Sequence, residues 1–264
     1  MPRVPSPAVT ALLEVSALRV TYGGVTAVND VDLVVPERRL VGLIGPNGAG
    51  KTSIIDALTG YHAPSGGRVT FDDEDITSLR AYKRARRGLG RTFQSVELFD
   101  DLSVEENLLV ASERVGVGKA LRDLVLPIRP PDRTAIDWAL ALCGLEDVAD
   151  RGPSELSHGR RKLVGVARAL AQRPRLVLLD EPAAGLDTDE SVVLGAHLRS
   201  LPDSGVSVLL VDHDMGLVLS VCDDVYVLDF GQVIAHGTPA EIRADEAVIA
   251  AYLGSRREEG AHVA

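Results

Sequence analysis

Apolar residues follow two rhythms along this chain. Leu40 to Ile44, Leu176 to Leu179, Val206 to Val211 and Val225 to Leu228 are short unbroken runs, which predict strands buried on both faces. Elsewhere the period is helical. Ile136, Ala139, Leu140 and Cys143 recur at i, i+3, i+4 and i+7, as do Leu163, Val166, Ala167 and Leu170, predicting two amphipathic helices on a shared core. Lys51 to Thr59 places Ile54, Ile55 and Leu58 on one face and stops at Gly60, a third helix. Arg68 to Phe71 predicts a strand after the turn Pro64-Ser65-Gly66-Gly67 and points to antiparallel structure in the early part of the chain. Ser78 is placed to cap a basic helix ending at Gly88, and Leu89 to Gln94 leads into a loop. Ser103 with Glu106 forms a capping box that opens a helix through Val110. Gly116 to Pro131, with its prolines and glycines, is the stretch least suited to regular structure.

A strand, a glycine-rich turn, a helix, a helical excursion and then further buried strands make an α/β fold with a mostly parallel sheet, an antiparallel β part and an inserted α-helical subdomain. Residues 12–95 and 173–254 are expected to form the core, 96–172 the helical subdomain, and 255–264 a polar disordered tail. Lys51 and Asp180 are expected to meet at neighbouring strand ends, the edge where open α/β sheets bind ligands.

The formal charge of −10, from 28 basic and 38 acidic residues, works against nucleic acid or anionic lipid as a bulk partner. No apolar run approaches the roughly 18 residues of a membrane span, and Met1 to Ala11 does not read as a secretory signal, so a cytosolic chain is expected. Cys143 and Cys222 lie in apolar segments and read as reduced core thiols. Lys83-Arg84-Ala85-Arg86-Arg87 reads as a solvated basic face, as does the basic run that begins at Arg160.

The chemistry concentrates in a few segments. Gly45-Pro46-Asn47-Gly48-Ala49-Gly50-Lys51-Thr52-Ser53 is a phosphate loop: its glycines let backbone N–H groups turn toward phosphate, Lys51 neutralises charge, and the Thr52 hydroxyl can ligate Mg²⁺. ATP with Mg²⁺ is the implied ligand. Leu176 to Glu181 delivers two carboxylates at a strand end, Asp180 to hold Mg²⁺ and Glu181 to deprotonate the attacking water. Leu156-Ser157-His158-Gly159-Arg160 stands before an amphipathic helix whose positive end can grip a γ-phosphate, although Ser157 also reads as an ordinary cap.

With these pieces in this order, the chain resembles the nucleotide-binding subunit of ABC transporters from about Leu13 to Leu253. The resemblance implies a P-loop NTPase core and a head-to-tail pair of ATPases. In such a pair each ATP lies between one phosphate loop and the partner's signature, Ser157 to Arg160. It also assigns Tyr22 to adenine stacking, Gln94 to Mg²⁺ and transporter contact, Asp187 to a dimer-spanning loop and His213 to the γ-phosphate. His158 and Arg160 depart from the family's usual glycine and glutamine.

Within the family, Gly90 to Phe99, Val211 to Met215 and Ala250 to Gly254 look like the longer of the two ATPases of branched-chain amino acid importers. That implies transmembrane permease subunits, a second ABC ATPase and, indirectly, an external solute-binding protein, with the chain at the cytoplasmic face of the membrane. Urea or short-amide importers, and soluble ABC ATPases of cofactor-assembly or nucleic-acid-related machines, share the same ATP motifs.

Overall fold

A computed structural model describes residues 10–92, 97–113 and 133–252. The expectations for Gln94, for the Gly116 to Pro131 stretch and for the 255–264 tail fall outside these described residues.

β1 (Ala11–Tyr22) and β2 (Val25–Pro36) form an antiparallel hairpin, extended by β4 (Gly66–Phe71) and β5 (Glu74–Asp75) into a sheet of order β2-β1-β4-β5. The second sheet has the order β10-β9-β3-β8-β7-β6. Its strands are β3 (Leu40–Ile44), β6 (Leu89–Arg91), β7 (Leu176–Asp180), β8 (Ser207–Val211), β9 (Asp224–Asp229) and β10 (Gln232–Gly237). Every pairing in it is parallel except β9 with β10.

Lys51 and Asp180 do come to the same sheet edge, but not from neighbouring strands: β8 lies between β3 and β7. The helical run that separates the strands in sequence gives no information about which later strand enters the middle.

Successive residues of the central strands feed two cores, as the pleat requires. Leu40, Ile44, Val177 and Leu179 pack with helices α3 (Val104–Ser112), α4 (Thr134–Cys143) and α5 (His158–Leu170). Val41, Leu43, Leu176 and Leu178 face α1 (Lys51–Thr59) and the antiparallel sheet. Ile136, Ala139, Leu140 and Cys143 on α4, and Leu163, Val166, Ala167 and Leu170 on α5, are all buried, as their spacing predicts. Cys143 and Cys222 are buried free thiols, and burial raises the Cys143 pKa to about 12.

α2 (Ala81–Arg86) corrects two sequence readings. Its N-cap is Arg80 rather than Ser78, and Arg84 is only 1% exposed instead of solvated. The guanidinium donates to the Ala57 and Leu58 carbonyls at 2.7 Å and to the Leu79 and Thr77 carbonyls at 2.9 and 2.8 Å. Turning Thr77 and Leu79 toward Arg84 holds residues 77–80 out of helical geometry, which displaces the start of α2. The Ala57 and Leu58 carbonyls belong to the last turn of α1, where a cation is favoured. Burial nevertheless lowers the Arg84 pKa to about 10.

α6 (Thr188–Ser200), α7 (Met215–Val221) and α8 (Pro239–Ala244) follow along the chain. α7 packs directly on β3 at Gly42, where a Cβ would stand 2.5 Å from a Val218 methyl.

Candidate nucleotide site

The phosphate loop leaves the buried end of β3 and enters α1 through Gly50, whose φ of 103° lies in the left-handed region that favours glycine. A Cβ on Gly50 would approach the Ala27 carbonyl oxygen to 2.5 Å, so the turn requires glycine for space as well. No side chain caps α1, which leaves its first amides to the loop interior. Lys51 is 7% exposed and donates from Nζ to the Gly45 carbonyl at 2.7 Å and the Pro46 carbonyl at 3.0 Å. Burial lowers the Lys51 pKa, opposed by the nearby charges of Glu181, Asp212 and Asp180. The Thr52 side of the helix is exposed.

Asp180 ends β7 and is 6% exposed. Its Oδ2 accepts from Arg91 Nη2 at 3.1 Å, while Arg91 Nη1 donates to Asp56 Oδ1 at 2.6 Å. Burial raises the Asp180 pKa, and the Arg91 hydrogen bond works against that shift. Glu181 follows with φ of 46°, a left-handed conformation that costs on the order of 1–3 kcal/mol for a non-glycine residue. Its N–H donates to the Val211 carbonyl at 2.7 Å, which fixes its backbone at the sheet edge.

His213 leaves the end of β8 with a half-exposed ring. Its Nδ1 lies 3.8 Å from Glu181 Oε2 and 3.5 Å from Asp212 Oδ1, contacts too long to be hydrogen bonds. Asp212 is fully buried, accepting from Asp214 N–H at 3.0 Å and Ala183 N–H at 3.2 Å, and burial raises its pKa.

Lys51, Asp180, Glu181 and His213 therefore gather at the carboxyl edge of one sheet. Tyr22 lies at the tip of the β1–β2 hairpin, 43% exposed, with its ring centroid 4.4 Å from that of His62. Such an exposed ring can offer a stacking platform.

A second group forms around the start of α5. Ser157 is the N-cap and its Oγ accepts from Arg160 N–H at 3.3 Å, while Arg160 pairs with Asp147 at 2.9 Å. Asp187 caps α6, accepting from Glu190 N–H at 2.8 Å. Gly159 N–H donates to Glu190 Oε1 at 2.9 Å.

Sequence reasoning missed Arg91, Asp212, Lys162 and Glu190. Lys162 is 7% exposed, contrary to a solvated basic run; burial lowers its pKa while Asp212 and Glu181 act to raise it. The signal for Asp212 was present in the acids on both sides of His213. Between β6, α3 and α5 lies a cleft of about 480 Å³ lined in part by Arg91, Glu97, Lys162 and Arg168.

Residues 28–184 match the family described as ABC transporter, and residues 232–258 match the family described as branched-chain amino acid ATP-binding cassette transporter. The chain is 43% identical to the high-affinity branched-chain amino acid transport ATP-binding protein BraF of Pseudomonas aeruginosa, an alignment covering 92% of this chain and 98% of that protein. It is 40% identical to LivG of Escherichia coli, also named a high-affinity branched-chain amino acid transport ATP-binding protein, over the same shares. It is 38% identical to LptB of Escherichia coli, the ATP-binding protein of a lipopolysaccharide export system, again over 92% of this chain and 98% of that one. Among solved structures, an ATP-binding cassette of an ABC transporter in its ADP conformation superimposes with a TM-score of 0.82 at 28% identity, covering 93% of this chain and 99% of that one.

Proposed function

The chain belongs to the ABC transporter family of ATP-binding subunits, and from that premise we propose that it hydrolyses ATP to drive import of branched-chain amino acids through a partner permease. The relatives' names and the match at residues 232–258 support the solute class. The observation that carries the hydrolysis is the convergence of a strained Glu181 with Lys51, Asp180 and His213 at one sheet edge.

In this reading the loop amides and Lys51 hold the β- and γ-phosphates, and Tyr22 stacks on adenine. Glu181 takes the proton of the attacking water, and His213 donates to a γ-phosphate oxygen. The donor set fits Mg²⁺: Thr52 offers a hydroxyl on the exposed side of α1, and Asp180 offers a carboxylate that already engages a cation, Arg91. With Gln94, these residues would hold the ion, which supplies neutralisation of phosphate charge. Ser157, His158, Gly159 and Arg160 close over the partner's ATP, and the Asp187 loop spans the pair.

The ATPase partner is a second ABC subunit, and an external binding protein supplies solute to the permease. No helix among the described residues is long and apolar enough to cross a membrane. In this reading the chain docks on the cytoplasmic face through the permease, whose helices meet the cleft beside Arg91 and Arg168.

Glu181→Gln tests the catalytic assignment: ATP binding persists and ATP-held dimers accumulate, while turnover drops on the order of 10²–10⁴-fold. Normal turnover in that variant removes Glu181 from the role. Reconstitution with the copurifying permease tests the solute, with ATP-dependent uptake of labelled leucine and valine expected to exceed that of urea. The likeness to LptB shows that similar cassettes serve other cargoes, so preferential urea uptake would overturn the amino acid assignment.

A further inference from the structure

We propose that Glu190 is a positioning residue that joins the signature turn to the Asp187 loop, so that both are presented to the partner's ATP as one unit. The inference rests on the reading of Ser157 to Arg160 as the segment that faces a partner's nucleotide.

Glu190 lies in the first turn of α6, and its two ends face different segments. Its N–H donates to Asp187 Oδ1 at 2.8 Å, which fixes it to the end of the 183–187 loop. Its carboxylate crosses to α5 and accepts from Gly159 N–H at 2.9 Å, 31 positions away in sequence. The approach is close: a Cβ on Gly159 would stand 3.0 Å from Glu190 Cδ and Oε1 and 3.1 Å from Cγ. A glycine at 159 therefore serves the contact with Glu190, whatever it also does for nucleotide.

A second contact joins the same two segments. Gly185, with φ of +80°, lies beside the His158 ring, where a Cβ would be 3.2 Å from Nε2. The histidine that replaces the family's usual glycine thus sits against Gly185 of the 183–187 loop. Gly159 N–H to Glu190 and His158 beside Gly185 are two separate points of contact between the start of α5 and the 183–190 segment.

A carboxylate accepting from a helix-start amide is favourable, and it occupies an acceptor position that a phosphate oxygen can share or replace. Small errors in placing such groups cost rate out of proportion to their size. Glu190 touches neither ATP nor water in this scheme, and acts through Gly159 and Asp187.

The test uses the full chain in the assembly that copurifies with it. ATP turnover is measured for Glu190→Ala, Glu190→Gln, Ser157→Ala and the Ser157→Ala/Glu190→Ala pair, alongside backbone amide exchange. Glu190→Ala is expected to lower kcat on the order of tenfold, whereas Glu190→Gln retains activity because its amide oxygen still accepts from Gly159 N–H. Exchange rises together in 157–161 and 183–187, and the double variant is no slower than Ser157→Ala. Wild-type turnover in Glu190→Ala, equal loss in Glu190→Gln, loosening of one segment alone, or losses that multiply in the double variant each overturn the proposal. If Ser157→Ala itself leaves turnover unchanged, the partner-facing reading of the signature fails and this inference with it; if only the Glu190 variants are silent, the signature reading stands.

Discussion

α1 and α5 both begin at ends suited to an anion, yet they are finished differently. α1 starts from a left-handed Gly50 with no side-chain cap, and a buried Lys51 beside it donates to the loop's own carbonyls. α5 starts from Ser157, whose hydroxyl and whose neighbour Glu190 already accept from the Arg160 and Gly159 amides. The first end is held open by backbone geometry that only glycine adopts easily. The second is held closed by replaceable side-chain acceptors. A primary phosphate cradle needs the first construction, whereas a surface that meets a phosphate only when a partner arrives can carry the second.

The largest expected effect is on the open end. Lys51→Ala should lower ATP turnover on the order of 10³-fold by removing a preorganised cation from the developing phosphate charge; a loss no greater than that of Ser157→Ala in parallel assays would erase the contrast. Gly50→Ala should destabilise the fold by about 1–3 kcal/mol in denaturant titrations, since it forces a left-handed alanine against the Ala27 carbonyl. Gly159→Ala has no such backbone demand and should cost about 1 kcal/mol or less, by moving Glu190.

The thiols offer a pH-dependent comparison, with Cys222 against Gly42 beneath the phosphate loop and Cys143 on α4 beside α5. Burial raises both pKa values from 9.0, that of Cys143 to about 12. Above pH 9 the unfolded chain therefore loses thiol protons that the folded chain keeps, so stability falls with rising pH through that window by up to about 1.4 kcal/mol per unit per thiol. Cys143→Ala should make the alkaline slope of unfolding free energy shallower by that share, and an unchanged slope would place the thiol in contact with water. Ser157→Ala as a stability variant should cost about 1 kcal/mol for a lost cap, measurable as a lower denaturation midpoint.

The contrast also explains what the sequence made legible. Leu40 to Thr59 could be read because its signals are local: an apolar run, glycines and a helical face lie side by side. The Ser103 and Glu106 capping box is likewise present as read, for the same reason. Arg84 was misread because its partners are carbonyls on α1 and in the 77–79 turn, and carbonyls leave no trace in side-chain identity. Glu190 looks like an ordinary acid in a helix's first turn, since nothing near it in sequence names Gly159. Arg91 and Asp212 were hidden similarly, each defined by a group brought to it by sheet order. The residues proposed to carry phosphate chemistry were legible as motifs; those holding the motifs to one another were not.

The place of β8 between β3 and β7 has a further consequence. Strands stand about 4.8 Å apart, so Lys51 and Asp180 leave strands separated by roughly 10 Å however much chain intervenes. Their 129 positions of separation (180 − 51) include α3, α4 and α5 as a detour that starts and ends on the adjacent strands β6 and β7. Distance at the site is therefore measured in strands, and the detour can lengthen, shorten or change its surface without resetting that ruler. A fold built this way can remodel its helical detour while leaving the spacing of the strand-end groups untouched.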